Sequence, residues 1–375
     1  MKKYAFLLLA VFLLAALAGC GTDTPSESPS SVSESVESSS EAEVTPAVSE
    51  PASSAEPTAA PTPDNFTMKV LQAPAVANPL TGLAAKSADA RPVAVMINNL
   101  KKALPQHGLK DADIVYEIPA EGGVTRLLAI YNDISAAGVI GSVRSSRPIF
   151  IDVAASYDAI YVHHGGSPEA YSMLKAGAVY NLDGMSLEGS VFYRDAARRK
   201  SMGYEHSSMT TGAKISAKLQ KSGVRMTGKA AGTAFRFSYN DLVPAGAAAE
   251  KVSVKTGSYT SEYEFLPDYG TYMRTEHGWS SDANGTGKLD FRNVFVLQMK
   301  YKVISGDSKG RLDFDNFSSG KGYYITNGRM QEITWKWASA SSRMKFYAAD
   351  GTELSVNAGK SMIHFVSALS NVTVK

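Results

Sequence analysis

Residues 141–171, GSVRSSRPIFIDVAASYDAIYVHHGGSPEAY, constrain the fold more than any other stretch of the chain. Asp158 to Val162 is a short apolar run of aromatic and β-branched residues, which predicts a buried strand. His163 and His164 end the run, and Gly165-Gly166 turns the chain. Ser167-Pro168-Glu169 then supplies an N-cap hydroxyl, a proline for the first helical position and an acid for the first turn. Upstream, Pro148 to Tyr157 reads as a helix behind a basic loop that carries Arg144 and Arg147. Helix, strand, glycine turn and helix in immediate succession call for a layered α/β arrangement. The turn after the strand would bring unpaired N–H groups and a helix dipole together, which favours an anion. Neither GxxxxGK[ST] nor GxGxxG is present, so this is not a known nucleotide loop.

The flanking segments extend the pattern. Arg91 to Ile97 (RPVAVMI) reads as a buried strand. Asp113 to Ile118 and Val124 to Tyr131 read as paired strands across Glu121-Gly122-Gly123, with Glu117 and Arg126 near the turn end. Thr210-Thr211 caps a helix over 212–220. From about Phe235 the texture changes to short alternating runs, among them NVFVLQMKYKV (293–303), GYYIT (322–326), ITWKW (333–337) and MIHFV (362–366). Asn327-Gly328 and Asp350-Gly351 are hairpin-turn dipeptides. The expected fold is an α/β (α+β) N-terminal layer domain, residues 66–240, followed by a smaller, mainly antiparallel β domain, residues 250–375. A body of this length is also expected to exceed one typical core.

The first 65 residues predict an address rather than a fold. Lys2-Lys3 and the apolar run Ala5 to Ala18 form a signal peptide over 1–20, ending in Leu17-Ala18-Gly19-Cys20. Small residues before a cysteine resemble the lipobox of bacterial lipoproteins, in which the cysteine thiol receives a diacylglyceryl group. Cys20 is the sole cysteine, which excludes disulfides. Residues 21–65 hold nine acids and no Lys or Arg among Ser, Pro, Ala and Thr, the composition of a disordered tether. A flexible coil of that length spans about 35–40 Å. Residues 66–375 then carry 36 basic against 27 acidic residues, a balance that suits anionic envelope partners. No nucleic-acid-binding motif is present, so nucleic acid is not an expected partner.

PLTGL (79–83), RPVAVMINN (91–99), ADIVYEIPAEGG (112–123), SVRSSRP (142–148), YDAIYVHHGGSPEAY (157–171) and NLDG (181–184) resemble the N-terminal domain of the YerB-like lipoproteins of Gram-positive bacteria. WKWASASSRMKFYAADGTELSVNAGKSMIHFV (335–366) is similar to that family's second domain. The resemblance implies membrane-anchored lipoproteins with this domain order and no assigned activity. Ser142 replaces an expected proline, His164 an expected alanine, and Met362-Ile363 an expected Trp-Ile. On that basis His163, not His164, is the histidine expected to share a family role. The order of apolar strand, arginine loop, strand, Gly-Gly and helix is also similar to that of the LytR–CpsA–Psr phosphotransferases. Those enzymes move glycopolymers from polyprenyl pyrophosphate onto peptidoglycan, binding pyrophosphate with arginines and a divalent metal with an acid. That likeness implies phosphate-binding roles for Arg144, Arg147 and Arg126. The loop reads Arg147-Pro148 where those enzymes have Arg-Asp.

The candidate anion- or ligand-binding residues are therefore Arg126, Arg144, Arg147, His163, Gly165, Gly166 and Ser167. Each also has a structural reading. The arginines can pair with Glu117, Glu121 or Asp152, His163 can be a hydrogen-bonded core residue, and Gly165 to Ser167 can serve only the turn and cap. Arg194, Arg198, Arg199 and Lys200 read as a solvated charge run. HExxH, GxSxG and Cys/His metal spacing are absent, so no catalytic residue is assigned and no metal or other cofactor is expected. Three functions follow. The leading one is a lipid-anchored binding or scaffold protein on the outer face of the cell membrane, with an anion-favouring cleft and an anionic envelope glycan as partner. The second is a phosphotransferase or hydrolase on pyrophosphate-linked glycans, the one case that calls for a divalent metal. The third is a structural partner of another membrane protein.

Overall fold

The computed structural model describes residues 65–229 and 234–375; the signal peptide, Cys20 and the tether through residue 64 lie outside the described residues. The N-terminal part alternates strands and helices: β1 (Val93–Asn98), β2 (Ile114–Pro119), β3 (Thr125–Tyr131), β4 (Val139–Gly141), α1 (Pro148–Ser156), β5 (Ile160–His163), α2 (Pro168–Lys175), β6 (Asn181–Asp183), α3 (Gly184–Leu187), β7 (Tyr193–Arg194), α4 (Ala196–Met202), β8 (Ser208–Thr211) and α5 (Gly212–Ser222). The helix starts follow the chemistry of the sequence. Ser167 accepts from the Ala170 N–H and Thr211 from the Lys214 N–H, and proline opens both α1 and α2.

The C-terminal part is nearly all strand: β9 (Arg236–Ser238), β10 (Ala247–Ala248), β11 (Lys251–Thr256), β12 (Tyr259–Leu266), β13 (Thr271–Glu276), β14 (Asp290–Phe291), β15 (Asn293–Gln298), β16 (Tyr301–Val303), β17 (Leu312–Phe314), β18 (Ser319–Thr326), β19 (Arg329–Lys336), β20 (Lys345–Tyr347), β21 (Ser355–Asn357), β22 (Ser361–Val366) and β23 (Val372–Val374). Its pairing is mainly antiparallel, as the alternating runs imply. Thr326 faces Arg329 across a two-residue turn, and Asn327 and Gly328 both have positive φ, 49° and 70°. That is the primed turn which Asn-Gly favours. Strands β10, β13, β14, β17, β21 and β23 lie outside the runs singled out by alternation.

The two parts share one 11-stranded sheet, in the order β10-β19-β18-β15-β22-β2-β3-β1-β5-β6, with β20 beside β19. The join is β22, parallel to β15 on one side and to β2 on the other. Every residue of β22 is buried. A near-continuous apolar run covered on both faces is what a parallel interior strand requires. The core consequently divides by sheet face rather than by chain half. Ala94 and Met96 of β1, Phe295 and Leu297 of β15 and Ile363 and Phe365 of β22 pack with α1, Trp335 and Phe346. Val95 and Ile97, Val294 and Val296, and Met362 and Val366 pack on the other face. Leu219 of α5 lies on that face, as do Val252, Val254, Tyr263 and Tyr272 of a second sheet, β14-β13-β12-β11-β23. Period-two alternation along each strand produces this division.

A buried polar cluster lies where the second sheet covers the first. Glu117 accepts from Ser261 Oγ (2.9 Å), Thr125 Oγ1 (3.1 Å) and Arg274 Nη2 (3.1 Å). The same Arg274 nitrogen donates to Glu276, whose other oxygen accepts from Asn99 Nδ2 at 3.0 Å. His364 bridges Thr256 Oγ1 (3.0 Å) and Tyr263 Oη (2.6 Å). Two carboxylates share one guanidinium without solvent, so burial pushes the Glu276 carboxyl well above its ordinary range. Burial moves the His364 imidazole the other way, down to about 4, and it stays neutral.

The raised Glu276 favours folding in acid, and that contribution is lost as pH rises through its folded-state range. The depressed His364 makes a contribution that is lost as pH falls from 6.5 toward about 4. Arg274→Met leaves two buried carboxylates unmatched and should cost about 3–5 kcal/mol in urea unfolding. The loss should be smaller in mildly acidic than in alkaline buffer. Equal losses at both would show that Glu276 does not take up a proton.

Candidate functional site

The loop between β4 and α1 lies against the end of β5, so the arginines and the glycine turn meet in space. Ser146 N–H donates to the Gly165 carbonyl (2.9 Å), and His164 N–H donates to the Arg144 carbonyl (3.1 Å). Gly165 takes φ +77°, a conformation that costs a side-chain-bearing residue free energy. Asp183, at the end of β6, fixes the turn. Its carboxylate accepts from the N–H groups of Gly165 and Met185, each at 2.9 Å, and from Tyr171 Oη at 2.8 Å. Burial would raise the Asp183 carboxyl, but these donors and nearby His163 outweigh it and hold it below its ordinary range.

Arg126 of β3 and the loop arginines Arg144 and Arg147 have different surroundings. Arg126 and Arg147 both converge on Glu121: Arg147 Nε donates at 3.0 Å, and a terminal nitrogen of each guanidinium donates to Oε1. Arg126 also donates to the Ser145 carbonyl, and Arg147 Nη1 to the Ser146 carbonyl at 2.6 Å. Burial, with Arg147 beside it, pulls the Arg126 guanidinium down to about 9. Burial alone would raise Glu121, and the two guanidiniums reverse that. These two arginines are struts of the loop. Arg144 is different. Its Nη1 donates to Glu205 Oε2 (3.1 Å), a mostly exposed carboxylate, and no described residue takes its Nε or Nη2.

Of the other expected acidic partners, neither reaches the loop arginines. Glu117 belongs to the Arg274 cluster under the second sheet. Asp152, on α1, accepts from Asn316 Nδ2 at 2.6 Å, and burial raises its carboxyl to about 6. Of the charge run, Arg199 and Lys200 are exposed as expected, but Arg194 and Arg198 are not on a solvated face. Arg198 is buried and donates to the Ala103, Pro105 and His206 carbonyls. Arg194 donates to Glu188 (2.9 Å) and to His164 Nε2 (2.8 Å), and it lies 4.0 Å over the Tyr204 ring.

The histidines divide by strand alternation. His163 is fully buried in the sheet, close to the Gly165 carbonyl (2.8 Å) and Asn181 (3.2 Å). His164 points to the other side, toward Ser208 Oγ at 2.7 Å, and burial followed by Arg194 lowers its pKa. Gly184 packs against it so closely that a Cβ would lie 2.2 Å from His164 Nδ1. The result is an open groove of ≈ 380 Å³ over Arg144, Ser145, His164 and Gly165-Gly166. Its rim carries three exposed apolar side chains, Tyr171, Met185 and Tyr204. The groove brings together Arg144, Gly165 and Gly166 of the expected set; Arg126, Arg147 and His163 support it from behind, and Ser167 caps α2. Asp183, Arg194 and Tyr204 were missed by sequence reasoning. The Asx-turn pattern of Asp183-Gly184 was the available signal for the first. Among the described residues, no group of three or more His, Cys, Asp or Glu side chains is arranged to hold a metal ion.

Residues 80–225 match the N-terminal domain, and residues 251–363 the C-terminal domain, of a protein family of unknown function, DUF3048. The chain belongs to that family. It is 33% identical over 302 residues to a Bacillus subtilis protein named "Putative lipoprotein YerB", covering 79% of this chain and 88% of that one. A crystal structure of the YerB protein from Bacillus subtilis superposes with a TM-score of 0.70 at 30% identity, covering 80% of this chain and 99% of the other. The change of texture near Phe235 falls between the two family segments, while the sheet runs across it. No described helix is long and apolar enough to cross a membrane.

The groove and its struts separate under substitution. Glu121→Gln leaves two largely buried guanidiniums short of their counter-charge and should lower stability by about 2–3 kcal/mol in thermal unfolding. Glu205→Gln removes a solvent-exposed pair and should change stability by less than about 1 kcal/mol. Equal effects would contradict the division of roles.

Proposed function

We propose that this chain is an extracytoplasmic binding lipoprotein, held to the cell membrane through Cys20, whose groove takes an anionic group of an envelope polymer. The lipobox-like end of the signal sequence and the lipoprotein name of its relative support the anchor. The observation that carries the binding role is Arg144: half-buried, at the groove floor, with Nε and Nη2 free of described partners and only an exposed glutamate on Nη1. A planar guanidinium with two open donors suits a phosphate or carboxylate oxygen pair. The Gly166 N–H, which has no partner among the described residues, lines the same groove. Tyr171 and Tyr204 flank it with exposed rings, a surface that suits a sugar face or a lipid-linked stem. Glu205 holds Arg144 as a tethered carboxylate, and an incoming anion would displace it.

The test is calorimetric titration of the full chain in detergent with a short-chain polyprenyl pyrophosphate, with and without magnesium. Binding should weaken about tenfold or more in Arg144→Ala, the scale of a lost charge-assisted hydrogen bond. It should tighten severalfold in Glu205→Gln, which removes the internal competitor. Binding that neither variant changes would place the ligand elsewhere.

A further inference from the structure

A second cavity, of ≈ 530 Å³, lies between the end of α1, the start of β9 and the loop that joins β19 to β20. Phe235, Met344 and Phe346, all core residues, contribute its apolar lining. Three cations line it as well, Arg236, Arg343 and Lys345, against one carboxylate, the exposed Glu353. The loop that carries Arg343 is braced. Ser339 N–H donates to Ser342 Oγ (3.0 Å), Ser342 N–H donates back to the Ser339 carbonyl (3.1 Å), and Trp337 Nε1 donates to the Ser342 carbonyl (3.0 Å). Arg343 follows that turn directly and precedes the buried Met344, so its backbone is held from both sides.

The guanidinium of Arg343 has no acceptor among the described residues. Its Nε and Nη1 are buried without a partner, and Nη2, the nitrogen that keeps exposure, has none either. Every other described arginine that is not exposed has at least one acceptor. Asp158, whose charge acts on Arg343, is committed elsewhere, since Arg225 Nη2 donates to both of its oxygens at 2.7 Å. Arg343 instead lies 5.0 Å over the ring of Tyr157, the C-terminal cap of α1. A ring face and a helix C-terminus favour a cation, but the ring takes none of its five N–H donors in a conventional hydrogen bond. Burial accordingly holds the guanidinium below its ordinary pKa. Its charge is delocalised, so an oxyanion on Nη2 would supply counter-charge to the buried nitrogens too. With two further cations in the lining, a doubly charged phosphate is favoured over a carboxylate.

We propose that this cavity binds a small organic phosphate monoester, its phosphate on Arg343 and its carbon skeleton against the apolar lining. The experiment titrates the full chain in detergent with phenyl phosphate, benzoate and phenol. The chain carries Arg144→Ala, so that the groove beside β5 does not contribute. Binding is read by calorimetry and by the arginine Nε–Hε resonances. Phenyl phosphate should saturate in roughly the millimolar range, benzoate should bind about tenfold more weakly, and phenol should not bind. Arg343→Met should weaken phenyl phosphate about tenfold or more, while the ligand-free melting temperature holds or rises because no ion pair is lost. No saturation at about a hundredfold higher phenyl phosphate would overturn the proposal. So would benzoate or phenol binding as tightly, or binding that Arg343→Met leaves intact. Should that variant melt early, the chain with Arg343 in place decides: a saturable shift of the Arg343 Nε–Hε resonance supports the site, and an unmoved resonance refutes it.

Discussion

Strand β22 lies between β2 and β15, and the rest of the structure depends on that placement. A strand near the end of the chain hydrogen-bonds in parallel with one from its first third. Once it is seated, the alternation along β1, β15 and β22 sets one apolar layer on each side of a single sheet. The texture of the chain changes near Phe235, but the two textures share both layers. Neither part completes its own sheet, because β2 would have an unpaired edge without β22 and β22 would have one without β2. The second sheet then covers the face that carries Glu117 and His364, which turns polar side chains into buried ones. Their hydrogen-bond partners therefore have to come from that covering sheet, and they do, as Ser261, Tyr263 and Arg274.

The same accounting explains why three neighbouring arginines have different roles. A guanidinium removed from water needs a counter-charge and acceptors for its donors, or its burial is unfavourable. Arg126 and Arg147 meet that requirement with Glu121 and two backbone carbonyls, and so they fix the loop. Arg144, no more exposed than Arg147, is matched only by a glutamate that solvent reaches freely. What distinguishes a strut from a receptor here is the exposure of its partner, not residue type or spacing. Electrostatics at such a groove are governed by open donors rather than by net charge, since the carboxylates of Glu188, Glu205 and Asp183 stand beside Arg194, Arg144 and His163.

Much of this was legible in the sequence. The apolar runs located most of the strands, proline and hydroxyl caps located α1, α2 and α5, and Asn327-Gly328 located its hairpin. Those signals are local, and local physics produces them. The parallel pairing of β22 was not legible as a pairing, because its partners are distant in sequence. Its continuous MIHFV run did carry the mark of a strand buried on both faces. Glu117 illustrates the limit. In an alternating strand a glutamate reads as solvent-facing, and only the arrival of a second sheet buries it. The solvated reading of Arg198 failed for a related reason. A short helix packed over a loop has carbonyls to satisfy, and Arg198 satisfies three of them.

The histidine pair shows how a one-residue offset decides a role. Successive side chains of a strand point to opposite faces, so His163 and His164 cannot share an environment. His163 faces the layer that holds Tyr161, and the two rings stack at 5.1 Å. His164 faces Ser208, Arg194 and the groove, where Gly184 leaves room for its ring. Where the family resemblance implied alanine, a larger polar side chain occupies the groove wall and holds Arg194 in place. His164 thus shapes the groove, while His163 keeps the turn geometry behind it.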